Sequence, residues 1–237
     1  MMRRLFSSLL ILTAWIVSAR ADLTLVENVV GAGSPSEVTI KIKGDKIRID
    51  ASPKLTTILD SNSGEMINLM RDEKRVVRMS ANKLKAAAEM ISKFSSQGEG
   101  AEKPKLVATG QKETINGYET QQYVYDGPDF KATYWIALQY PQGPEILRQL
   151  QAIKSEAWRA TGMNWPDYRD FPGVPLRTRL MLKNPAAGGS EVTSTITSVK
   201  QDAINDSEFA VPSDFKEVKV PDIFGGKGLE PSASPAP

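Results

Sequence analysis

The sequence predicts an α+β fold: about ten or eleven antiparallel strands and two helices, for which a strongly curved sheet packed on the helices is one arrangement. Three observations carry the prediction. Apolar and polar residues alternate at period two through most of the chain, as in sheets with one buried and one wet face. Short turns rich in Gly, Asn and Asp separate the alternating runs at hairpin spacing. Helical spacing is confined to two segments, each lying between blocks of strands.

Residues 1–21 stand apart. Met1-Met2-Arg3-Arg4, an apolar run from Leu5 to Val17 and the small-x-small triplet Ala19-Arg20-Ala21 have the form of a secretory signal peptide. Ser7, Ser8 and Thr13 make the run too short and too mild for a stable span, which argues against an uncleaved anchor. Cleavage is expected after Ala21, giving a periplasmic or secreted protein that starts at Asp22. Loss of Arg3, Arg4 and Arg20 takes the net charge from +2 to −1. A near-neutral chain offers no electrostatic case for nucleic acid as a partner. Residues 22–218 are expected to form a single domain, and the Gly-, Pro-, Ser- and Ala-rich residues 219–237 a disordered tail.

The chain has no Cys and no His. Disulfides and the lipidated cysteine of bacterial lipoproteins are therefore excluded. So are Cys–His and Ser–His nucleophilic catalysis and nearly all zinc and copper sites. No cofactor, no metal and no enzymatic activity are expected, although carboxylate chemistry and hard-cation sites are left open by the composition.

Along the mature chain, Leu23 to Val26 opens the strand series. Ser36 to Lys43 and Lys46 to Asp50 flank Gly44-Asp45, and Leu55 to Leu59, Met66 to Met70 and Arg75 to Met79 follow. Ser80 is placed to cap a helix whose stripe is Leu84, Ala87, Ala88, Ile91 and Phe94. Leu106 to Ile115 and Tyr118 to Tyr125 flank Asn116-Gly117, a strong hairpin signal. Phe130 to Leu138 is the next strand. A second helix is expected from Pro144 to Thr161, with Ile146, Leu150, Ile153 and Ala157 inward and Gly162 at its stop. Val174 to Lys183 and Ser190 to Lys200 form the last hairpin, and Phe209 to Pro212 a short closing element.

The loop between the second helix and the last hairpin holds Trp165, Tyr168 and Phe171 among prolines. These three line a ligand mouth or partner patch, or else fold back as a lid over the sheet end. Trp135, opposite in phase to Phe130, Tyr134 and Ile136, faces a ligand cavity or packs beneath a helix. Lys41, Lys43, Lys46 and Arg48 read as a solvated basic face. Asp126, Asp129, Asp167, Asp170 and Asp222 do not have the spacing of a calcium loop. The small, polar Val192–Ser198 run suits a sheet edge or the wall of a roomy cavity.

Several segments, in order, carry a family resemblance. They are the hairpin with IKGDKIRID up to Asp50, the pair Leu59–Met70, and Thr109 to Thr120 with its ETI-x-GY text. Tyr134-Trp135-Ile136-Ala137, Gly173-Val174-Pro175-Leu176 and Phe209-Ala210-Val211-Pro212 followed by Phe215 complete the set. Over nearly all of residues 22–218 the chain resembles the LolA/LolB-like periplasmic lipoprotein-carrier superfamily, in a functionally uncharacterised branch of small secreted bacterial proteins. The resemblance implies a half-open β-barrel wrapped on two or three helices. It also implies an apolar concavity of the kind that accepts acyl chains in characterised relatives. A lipid or a lipidated protein is the implied partner; no site residue carries over. The alternative is a non-catalytic structural or interaction module of the cell envelope. A carboxylate hydrolase would require two inward carboxylates in one cleft.

Overall fold

The computed structural model describes residues 22–31, 35–94, 104–128, 130–151, 165–183 and 191–218, with backbone alone at 87, 88 and 90–94. Six strands come first: β1 (Leu23–Gly31), β2 (Ser36–Lys43), β3 (Lys46–Ser52), β4 (Leu55–Asp60), β5 (Met66–Met70) and β6 (Arg75–Met79). Helix α1 (Ala81–Phe94) separates them from β7 (Val107–Ile115), β8 (Tyr118–Asp126) and β9 (Phe130–Ala137). Helix α2 (Gly143–Leu150), β10 (Val174–Leu182), β11 (Glu191–Lys200) and β12 (Lys216–Glu217) complete the chain. The expected leader 1–21, the tail 219–237, the turn 184–189 and the second half of the second helix, with Ile153, Ala157 and Gly162, lie outside the described residues.

All twelve strands join one sheet in the order β12-β6-β5-β4-β3-β2-β1-β11-β10-β9-β8-β7. Its two edges, β12 and β7, do not pair, so the sheet is not closed into a barrel. The count exceeds the expected ten or eleven because of β12. This two-residue strand binds β6 in parallel, the one parallel pairing among the described residues, and it is too short to leave a periodic signal.

Local chemistry accounts for the turns. Asn116 and Gly117 both take positive φ, 50° and 83°, the pairing that a tight two-residue hairpin of right-handed twist requires. Asp60 accepts from the backbone N–H of Asn62 and Ser63 at 3.0 and 2.9 Å, tying the β4–β5 turn. The Ser80 hydroxyl lies 3.5 Å from Lys83 N, at the outer limit of a cap contact at the start of α1.

Register shifts bend the sheet at Val26/Glu27 in β1, Pro175/Arg177 in β10 and Ala108/Lys112 in β7. The resulting curl is large. Asn116, at the β7–β8 turn, donates from Nδ2 to the Ile196 carbonyl of β11 at 2.5 Å. A flat sheet would hold β8 and β11, three strand steps apart, about 14 Å from each other. The principal core therefore gathers Leu23, Leu25, Ile42, Ile47 and Leu59 with Ile115, Leu176 and Ile196, and α2 adds Ile146 and Leu150.

A segment near the C-terminal end straps the opposite face. Ile204, Phe209, Val211 and Phe215 pack on Ile58, Ile67, Leu69 and Val76. Lys41 pairs with Glu208 at 2.9 Å and Lys43 with Asp206 at 2.8 Å, while Arg48, only 12% exposed, donates to the Glu208 carbonyl. The basic group expected on a solvated face is thus largely covered. Its partners arrive from more than 150 residues along the chain, a distance over which periodicity carries no information.

Candidate functional site

Residues paired across neighbouring strands point to the same side of a sheet. One such row crosses the inner face: Val29 of β1, Ser194 of β11, Thr178 of β10, Tyr134 of β9 and Tyr123 of β8. It is polar and aromatic, whereas the same face of β1–β4 is aliphatic. Over it lies the loop containing Trp165, Tyr168 and Phe171. Phe171, 6% exposed, meets Tyr134 edge-on with ring centroids 4.9 Å apart, and Tyr168 meets Phe171 at 5.1 Å. Trp165 lies 4.6 Å from the buried Phe130. Trp165 and Tyr168 remain half-buried.

The loop's own sequence shapes it. Asp167 accepts from Arg169 N at 2.9 Å, nucleating one 3-10 turn over Tyr168–Asp170. Gly173 returns the chain to β10 hard against β9, where a Cβ would sit 2.3 Å from the Ala137 carbonyl oxygen.

Glu27 belongs to this face, in phase with Leu23, Leu25 and Val29. Ser194 Oγ donates to its Oε2. Burial pushes the Glu27 carboxyl above its ordinary value, and the Ser194 hydrogen bond only partly offsets the rise. Burial, assisted by the Glu27 charge, pushes the Tyr168 phenol up to about 12. Burial also raises Tyr134, with Tyr168 and Tyr125 adding to the effect. All three groups thus share surroundings that oppose ionisation. Among the described residues no cation and no second carboxylate acts on Glu27, so the pair of inward acids that hydrolysis would require is not assembled around it.

Sequence reasoning ended β1 at Val26 and so missed Glu27. The available signal was a charged residue at an apolar phase of the alternation Leu23, Leu25, Glu27, Val29.

Of the four aromatic residues singled out from the sequence, Trp165, Tyr168 and Phe171 come together here. Trp135 does not join them. It points to the other face of β9, 5% exposed, where it belongs to the principal core with Ile115, Ala137 and Val174 and has the Arg177 and Arg179 guanidinium carbons 5.5 and 5.4 Å from its ring centre. Arg177 is itself bound to Glu113 at 2.7 Å and Thr195 Oγ1 at 3.2 Å. Asp167 pairs with Arg169 and Asp126 with Lys183; Asp129 and Asp222 lie outside the described residues. The small-residue strand β11 is central, between β1 and β10, and not at an edge. Its hydroxyls are used there, Ser194 on Glu27, Thr195 on Arg177 and Thr197 on the Val26 carbonyl.

A cavity of about 180 Å³ lies where the β7–β8 turn meets β11, lined by Asn116, Tyr118, Tyr140, Leu176, Ile196 and Ser198 among others. A wider polar depression of about 510 Å³ lies between Asp22, Lys43, Asp45, Lys46, Asp60 and Asp206. Among the described residues no acidic cluster has the makings of a metal site, and no helix is long and apolar enough to cross a membrane.

A family model described as "Domain of unknown function (DUF4412)" matches residues 24–215. No curated protein matches the chain. Among solved structures, PNGF-II is similar at 16% identity and a TM-score of 0.38. That match covers 84% of this chain and 31% of PNGF-II, so the chain spans about a third of that protein's length. A LolA superfamily protein of Nitrosomonas europaea is similar at 10% identity over 80% of this chain and 89% of that one, with a TM-score of 0.27. The MucA/MucB complex of Pseudomonas aeruginosa contains a chain similar at 11% identity, with 85% of this chain and 59% of that one covered and a TM-score of 0.38.

Proposed function

The chain belongs to the DUF4412 family, and we propose that it is a non-catalytic binding protein that works outside the cytoplasm after cleavage at Ala21. Its ligand is apolar: an acyl chain, a lipid or a lipidated partner held against the inner face of the open sheet. The observation that carries this reading is the half-buried aromatic loop, Trp165 and Tyr168 above all, laid over the Phe130–Tyr134 strand. Large rings that keep part of their surface in water at the border of an apolar interior suit a ligand mouth. The absence of His and Cys leaves little nucleophilic or metal chemistry for such a mouth to perform.

Native mass spectrometry with lipid extraction, on protein purified from its own cell envelope, tests the proposal. A stoichiometric acyl-bearing ligand supports it. A clean apo mass, with no uptake of added fatty acid or phospholipid, overturns it.

One observation favours the second reading, an interaction module with a filled interior. The cavity at the β7–β8 turn, about 180 Å³, is smaller than the roughly 300–1,000 Å³ of small-molecule pockets. The inner rings also already touch one another at 4.6–5.1 Å. An apo result would make that module the working description.

A further inference from the structure

We infer that Glu27 is a ligand-recognition residue, and that the ligand held against the inner face carries a protonated amine whose N–H groups bind this carboxylate beneath the aromatic loop. The inference rests on the apolar-ligand reading above and adds the chemistry of the ligand's polar end.

Glu27 stands in the wrong place for a structural carboxylate. It occupies the inward phase of a central strand, between Val38 of β2 and Ile196 of β11. Glu27 is half-buried, and a carboxylate partly withdrawn from water is ordinarily matched by a cation or by several donors, because an uncompensated charge there costs stability. Glu27 receives one hydroxyl hydrogen bond, from Ser194, on one oxygen. The basic side chains of the neighbouring strand β2 point elsewhere: Lys41 and Lys43 lie on the far face, bound to Glu208 and Asp206. A glutamine of the same shape would keep the Ser194 contact without the cost of the charge. Groups whose surroundings oppose their ionisation cluster at functional sites.

The surroundings define what that ligand group is. An anionic end would face the Glu27 carboxylate at close range, with no cation among the described residues acting on it. A cationic end would find the carboxylate as its counter-ion. It would also find π faces in the Tyr168–Phe171–Tyr134 group, whose successive ring centres are 5.1 and 4.9 Å apart. Carboxylate and aromatic faces together form the usual receptor for an ammonium group. A neutral hydroxyl would gain the hydrogen bond and lose the rest.

The test uses the full chain and three probes of equal chain length: decylammonium, 1-decanol and decanoate, each titrated calorimetrically at neutral pH. The expected result is decylammonium binding about tenfold more tightly than decanol, the size of a partly desolvated ammonium–aromatic and carboxylate contact, with decanoate weakest. In Glu27→Gln the ammonium affinity falls toward that of the alcohol, until the two lie within about twofold of each other. Glu27→Asp, which keeps the charge on a shorter arm, retains part of the preference. Near-ultraviolet circular dichroism verifies that both variants are folded. Equal affinity of the wild type for ammonium and alcohol, or a preference that survives in Glu27→Gln, overturns the inference and leaves the apolar-ligand reading standing. Failure of all three probes to bind overturns both.

Discussion

Gly173 shows how one missing side chain positions a site. The Ala137 carbonyl occupies the space its Cβ would need, so β9 and the start of β10 approach more closely than any other residue allows. The same contact anchors the end of the Trp165–Phe171 loop. Gly173→Ala is expected to cost about 1–3 kcal/mol in urea denaturation, as overpacking against backbone does. Trp fluorescence should shift with it as the loop lifts from Phe130; unchanged stability would mean that the strands separate freely there. Glu27 makes the converse point at the same scale. Its charge is tolerated at a cost, so Glu27→Gln should raise the melting temperature at neutral pH even as it removes ligand preference.

Among the elements, the strap around the 3-10 turn Asp206–Phe209 has the clearest energetic role. Phe209 is 7% exposed and seals the outer face of β4–β6 together with Ile204. Phe209→Ala should cost about 3–5 kcal/mol by urea denaturation. A loss well under 1 kcal/mol would show the strap to be peripheral. The strap also explains why the reading of β2 and β3 was half right. Alternation correctly separated Ile40, Ile42, Ile47 and Ile49 from Lys41, Lys43, Arg48 and Asp50. It had no means of showing that the polar side would be covered. Strand β11 repeats the lesson: its Ser and Thr residues suggested an edge or a cavity wall, and their use as donors to Glu27 and the Val26 carbonyl and as acceptor from Arg177 depends on pairing with β1 and β10.

For the whole molecule, two groups of carboxylates give stability opposite pH slopes. Burial pushes Asp50 up, but hydrogen bonds from Arg48 and Thr56 and the charges of Arg48 and Arg71 hold it below its ordinary 3.8. Backbone hydrogen bonds lower Asp60, and Lys41 lowers Glu208. Their stabilisation is complete above the unfolded values, 3.8 for Asp and 4.5 for Glu, and is lost as pH falls through the lower folded values. Glu27 runs the other way. Its folded value is raised above 4.5, so the native state holds more proton than the unfolded chain and stability declines as pH climbs from 4.5 through that raised value. Melting curves across this range should therefore fall toward neutral pH in the wild type and flatten in Glu27→Gln. Parallel curves would mean that Glu27 is as well solvated folded as unfolded.

The sequence by itself determined the fold class, most strand boundaries, the two-residue turns and the convergence of Trp165, Tyr168 and Phe171 on one short loop. These follow from interactions between near neighbours, where period-two alternation and turn preferences act. Only the tertiary structure decided that β1 pairs with β11, so that the first and last long strands meet at the middle of the sheet. It also decided that Trp135 and the aromatic loop lie on opposite faces, that the strap covers the basic strands, and that Glu27 is left on the inner face with a single hydroxyl for company. Each of these depends on contacts between residues far apart in the chain, and on bulges that shift register by one position. A local pattern cannot specify where such a shift brings distant strands together.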